Sequence, residues 1–178
     1  IDEEKAVILN NRLKKKTSIL KAEDLIKRVD LIIEAASAKA LGDVMEKAIK
    51  YKRDIFSMSV GGLLANGALL RRAEARGVKV YLPSGAICGI DGLKAASIGR
   101  IGSVTLTTRK PPKALEGAPY LKEKGISLRD IKEETVIFDG NARDAIEGFP
   151  QNVNVAATLS LAGIGQKRTR VRIVTSPD

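Results

Sequence analysis

Three short runs rich in β-branched and apolar residues recur along the first half of the chain, at 29–37, 54–60 and 78–81. Each gives way to small or hydroxyl residues: Ala36-Ser37, Ser59-Val60-Gly61 and Ser84-Gly85-Ala86. Stretches with apolar residues at helical spacing separate them. Strand, helix, strand, helix, strand restricts the chain to a parallel α/β sheet, because parallel strands need crossover connections and those are right-handed. In such sheets ligands sit at the carboxyl ends of the strands. Three neighbouring ends carrying small groups therefore predict one lined crevice, with 81–92 as one of its walls. Taken alone, 81–92 reads equally well as a plain strand-to-helix connection.

The patterning predicts the elements in order. Residues 2–14 are helical, with Asp2, Glu3 and Glu4 leading and Lys14–Lys16 trailing, as the helix dipole favours. Ile19 and Leu20 suggest a short strand, and Leu25 and Ile26 a short helix. The near-continuous apolar run of 29–37 predicts a strand covered on both faces. A helix over 38–51 follows, with Leu41, Val44, Met45, Ala48 and Ile49 on one stripe. The strand over 54–60 leads to a Gly61-Gly62 turn, a helix over 63–76 and a C′ cap at Gly77. Pro83 ends the third strand.

Beyond residue 92 the texture changes. Ser103–Thr108 alternates with period two, as a half-buried antiparallel strand does. The polar stretch 113–132 reads as a surface excursion or lid. Thr135–Phe138 is predicted as a strand, 141–147 as a short helix, 152–163 as an apolar helix, and 169–175 as a closing strand with outward Arg170 and Arg172. The expected division is an α/β half over 1–92 and an α+β half over 93–178.

Composition narrows the chemistry. The 178 residues include no His and one Cys. Catalytic sets built on His are therefore impossible within this chain, no metal site is expected, and the cysteine usage suits a reducing compartment. Cys88, among apolar neighbours, reads as a small buried hydrophobe. The net charge of +10 admits nucleic acid as a partner. The basic residues are dispersed and lack interleaved aromatics, which suits a solvated surface around an anionic-ligand site. No apolar run approaches membrane-spanning length.

Candidate chemistry is sparse. The sequence holds neither G-x-G-x-x-G nor G-x-x-x-x-G-K-[ST]. Glu34, Asp91, Asp139 and Asp144 lie near strand ends and read as caps or solvated charges. Asn152 and Asn154 head an apolar helix. Asn152 suits an N-cap, while Asn154 either belongs to the same cap or points an amide into a cleft. Arg109-Lys110 could clamp a dicarboxylate or simply end an exposed strand.

Five segments in one collinear order resemble the L-aspartate dehydrogenase family: Val29–Ser37 (VDLIIEAAS), Met58-Ser59-Val60-Gly61, Pro83-Ser84-Gly85-Ala86-Ile87 with Gly89 and Asp91, Thr108–Pro112 (TRKPP), and Phe149-Pro150 with Asn152, Asn154, Val155 and Ala156. The resemblance implies a partial Rossmann-type parallel sheet followed by an α+β catalytic and dimerisation domain of homoserine-dehydrogenase-like architecture. It implies an enzyme using NAD or NADP to deaminate L-aspartate oxidatively to iminoaspartate, which can feed NAD biosynthesis. Ala36 and Ser37 would border the nicotinamide nucleotide, and Ser59 and Val60 the next strand end. Ala86 would supply a backbone contact and Asn154 a helix-borne contact near the nicotinamide.

The family's glycine-rich opening and later catalytic His have no counterpart in these 178 residues. The expectation is thus a fragment that is inactive and weak for cofactor by itself, with its catalytic residues unassigned. A cytoplasmic homodimer without nucleic-acid or membrane partners is expected. Three alternatives stay open: a related oxidoreductase acting on homoserine or an aldehyde, a non-enzymatic module using the basic surface, and a truncated product with a structural role.

Overall fold

The computed structural model describes residues 3–129, 131–150 and 154–177. Asp2 and Asn152, named above, lie outside them. Two three-stranded sheets organise the described residues. The first contains β1 (Leu31–Glu34), β2 (Asp54–Ser57) and β3 (Val80–Tyr81), all parallel and in that order. Helices α1 (Glu3–Arg12) and α2 (Ala22–Lys27) precede it. The crossovers are α3 (Ala38–Tyr51) and the pair α4 (Val60–Ala65) and α5 (Gly67–Ala75). Leu41, Met45, Ala48 and Ile49 of α3 pack with Ile32, Ile55 and Leu63 in one apolar core. Gly77 takes a φ of +69°, as its C′ position requires.

The second sheet has the order β4-β6-β5, from β4 (Val104–Lys110), β5 (Thr135–Asn141) and β6 (Thr169–Thr175). Helix α6 (Ile90–Ala96) leads towards it, so the boundary expected at 92/93 falls within that helix. A 3-10 turn at Pro112–Ala114, then α7 (Pro119–Lys124), α8 (Ala142–Gly148) and α9 (Asn154–Ala162) complete the chain. The second core includes an aromatic cluster in which Tyr120, Phe138 and Phe149 lie 5.2–5.8 Å apart, centroid to centroid. Such edge-on and tilted pairs add to the area that the rings bury. Helix α9 belongs to both cores: Ala157 packs into the first and Ala156 into the second.

Several expectations are corrected. Residues 13–21 contain neither strand nor helix, so Ile19 and Leu20 pair with nothing in the sheet. Strand β1 is short, and it is covered on one face only: Leu31 and Ile33 are 46% and 71% exposed, while Ile32 and Glu34 are buried. Gly61-Gly62 is no turn but part of α4, and the helix expected over 63–76 is broken at Asn66. The β4 strand alternates as expected, yet it pairs parallel to β6, not antiparallel. Its neighbour is the chain's final strand, a pairing that local alternation cannot encode. The stretch 113–132 is no lid, since Leu115, Ala118 and Leu121 are buried in the second core. Cys88 is exposed. Of its apolar neighbours, Ile90 is buried and Ile87 half-buried.

Candidate functional site

The carboxyl ends of β1 and β2 are tied together by a buried acid. Glu34, expected as a cap or solvated charge, is 3% exposed at the end of β1. Its Oε1 accepts from the Ala36 amide at 2.8 Å and from Ser59 Oγ at 2.9 Å. Its Oε2 accepts from Ser57 Oγ at 2.9 Å and from the Ser59 amide at 3.2 Å. Burial pushes the Glu34 carboxyl up, but these four donors outweigh it and hold the group below its ordinary value. Acid at a strand end followed by Ser-x-Ser at the next was the available signal. That pattern by itself does not show that the acid is buried.

The β2 end is also gripped from the second half. The Gly61 amide donates to Asn154 Oδ1 at 2.9 Å, and Asn154 Nδ2 faces the Met58 carbonyl at 3.4 Å. Helix α4 packs on α9 to bring these groups together. The buried hydroxyls of α9 are satisfied within the helix, Thr158 on the Asn154 carbonyl and Ser160 on the Ala156 carbonyl. Ser37 caps α3, accepting from the Ala40 amide at 3.2 Å.

The structure thus bonds Ala36 and Ser59 to Glu34 and links Asn154 to them through Met58, with Ser37 beside Ala36 and Val60 next to Ser59 in the chain. Their capacities differ. Ala36, Ser37 and Asn154 are exposed. Val60 is buried in the first core, so only its backbone can meet a ligand. The amide and hydroxyl of Ser59 are committed to Glu34.

Ala86 is exposed in the loop between β3 and α6, and no described bond joins it to the other five. Its neighbours Gly85 and Ile87 line a separate cleft of about 870 Å³, bounded by Phe56 and Tyr81 on the sheet and Leu161 on α9. Size alone would favour that cleft. The bonded strand ends are the stronger candidate, because their polar groups converge and the cleft wall holds none of them. The single crevice expected from the sequence is therefore two adjoining features. Arg109 lies within β4 and pairs with Glu134 at the surface, away from these strand ends. Asp139 pairs with Arg170, and Asp144 bonds to Asn141 at the start of α8. No group of three or more metal-ligating side chains occurs among the described residues.

Parallel strand ends with small exposed groups, adjoining a helix-borne amide, are the position at which open α/β nucleotide-binding folds hold their ligands. Comparisons with known proteins agree. The family model described as "Homoserine dehydrogenase, NAD binding domain" matches residues 2–83. The model described as "Aspartate dehydrogenase, C-terminal" matches residues 91–178. The L-aspartate dehydrogenase of Methanosarcina acetivorans is 49% identical over 98% of this chain and 66% of its own length. That of Methanosarcina barkeri is 50% identical over 87% of this chain and 58% of its own. The crystal structure of aspartate dehydrogenase from Thermotoga maritima superposes with a TM-score of 0.67 at 26% identity, covering 93% of this chain and 63% of that one. The chain belongs to the aspartate dehydrogenase family, whose members are NAD(P)-dependent amino-acid dehydrogenases. It spans roughly three fifths to two thirds of the length of these relatives.

Proposed function

We propose that this chain carries the nicotinamide side of an L-aspartate dehydrogenase site, in a protein that converts L-aspartate and NAD(P)+ to iminoaspartate, NAD(P)H and a proton. The observation that carries this reading is the Asn154–Gly61 bond, which joins the helix of the second half to the start of α4, just past the β2 end of the nucleotide-binding half. Bound NAD(P) supplies the acceptor for the hydride leaving the aspartate Cα. Ala36, Ser37 and Ala86 present small side chains that leave the backbone approachable. Asn154 keeps one Nδ2 hydrogen for a ligand, the other facing the Met58 carbonyl, while its oxygen holds Gly61. Val60 contributes backbone only. These residues fit the nicotinamide end. The pyrophosphate end needs a glycine-rich turn at a helix start, which the 178 residues do not contain.

In this reading the halves over 1–92 and 93–178 bind cofactor and complete the active site, respectively. The protein works as a cytoplasmic homodimer, joined through its second half, without nucleic-acid or membrane partners, and its product feeds NAD biosynthesis. Among the described residues no helix is long and apolar enough to cross a membrane. The 178 residues alone are inactive and bind NADH weakly; sub-micromolar binding in a fluorescence titration would refute this. The reaction is tested with the chain inside a protein that has the glycine-rich turn. Aspartate should drive NAD(P)H formation at 340 nm and homoserine should not. Turnover with homoserine and none with aspartate would instead favour the relationship implied by the match over residues 2–83.

A further inference from the structure

Glu34 is the only charged side chain buried among the described residues, and it has no cation partner. A buried carboxylate is costly and persists where donors converge on it. All of its donors come from two places: Ala36, two residues on, and Ser57 and Ser59 at the end of β2 and just beyond it. Its carbonyl also accepts from the Met58 amide at 2.9 Å. Residues 57–59 are thus fastened to β1 from one side, and Gly61 and Met58 are held from the other side by Asn154. Gly62 closes the arrangement, since a Cβ there would lie 2.9 Å from the Ala38 backbone.

We propose that Glu34 is a positioning residue whose carboxylate fixes residues 58–61, the junction of β2 and α4, in the arrangement that Asn154 engages, and so sets how the two halves of the site meet. The cofactor reading enters only in what that junction serves. The charge acts on Ser57, on Ser59 and on the Ala36 amide. Helices α4 and α9 carry no titratable side chain, and Asp54 lies at the far end of β2. On α3, Asp43 bonds Lys47, Glu46 bonds Arg72 and Lys50 bonds Glu23, while Lys39 is exposed. None of these is bonded to Glu34. The serine hydroxyls can turn to accept, but each carboxyl oxygen also faces a backbone amide that cannot, Ala36 at Oε1 and Ser59 at Oε2; protonation would therefore loosen residues 57–59 and, through them, the grip of Asn154 on Gly61.

The test uses NMR on the 178-residue chain without cofactor, from about pH 7 to about pH 3, across the carboxylate range. The Ser59 and Gly61 amides and the Asn154 side-chain amide should shift together, with one midpoint below 4.5. Glu34→Gln should abolish that shared transition and raise hydrogen exchange at Gly61 by about tenfold or more, without comparable loss in the second sheet. A merely structural acid would not link the Asn154 signal to the Ser59 midpoint. Independent titration of Gly61 or Asn154, or unchanged exchange at Gly61 in Glu34→Gln, overturns the proposal. Should Glu34→Gln not fold, Ser57→Ala removes one donor and keeps the charge. It should raise the common midpoint, and an unmoved midpoint counts against Glu34. NADH binding is read separately: its failure in the protein with the glycine-rich turn refutes the cofactor reading, while uncoupled titration refutes the positioning role.

Discussion

Gly62 shows how little slack the start of α4 has. A methyl group there meets the Ala38 Cα and carbonyl oxygen at 2.9 Å and a Leu41 methyl at 3.1 Å. Backbone cannot yield as a side-chain tip can, so Gly62→Ala should cost about 1–3 kcal/mol, read as a lower urea midpoint at unchanged slope. The Gly-Gly pair was visible in the sequence, but as a turn. Its actual cause, the close approach of α4 to the start of α3, is a tertiary fact. Asn154 was likewise legible as a helix-first-turn amide with two possible roles. Only the packing of α4 on α9 assigns its oxygen to Gly61.

Among the elements, α3 is the best specified by its own residues. Its bounds match the expected 38–51, its apolar stripe is buried, and Ser37 caps it. Ser37→Ala should destabilise the protein by about 1 kcal/mol in chemical denaturation. At the other end Lys52 takes a left-handed φ of 52°, the single positive-φ non-glycine among the described residues. Lys52→Gly relieves that strain and should raise the urea midpoint, by about 0.5–1 kcal/mol of stability. Strand β1 is the counter-example. A run of apolar residues predicted two covered faces, yet Leu31 and Ile33 face outward. Whether a face is covered depends on which helices return to it, and residues within the strand do not carry that information. The same holds for β4, whose alternation revealed one buried face but not the direction of its partner.

The whole molecule responds to acid through carboxylates held below their ordinary values. Tyr51 and Lys50 lower Glu23, Arg72 lowers Glu46, Arg170 lowers Asp139, and the four donors lower Glu34 against burial. A depressed folded-state pKa contributes stability that is present above the unfolded value and lost as pH falls through the folded one. With ordinary values of 4.5 for glutamate and 3.8 for aspartate, stability should be flat near neutrality and decline below about pH 4. Urea midpoints measured across that range check this, and Glu34→Gln should make the decline shallower. Glu23, Glu46 and Asp139 are solvent-exposed pairs that salt screens, so the buried Glu34 should dominate at high ionic strength.

The sequence by itself determined the α/β alternation, the small-residue strand ends, the α3 stripe and the family, because these depend on local period, turn chemistry and motif order. Tertiary structure alone decided that Glu34 is buried, that β4 runs parallel to β6, that Leu115, Ala118 and Leu121 pack into a core, and that α9 serves both cores. Each of these depends on what lies across space from a residue, and a chain's local pattern constrains its own faces far better than it names their neighbours.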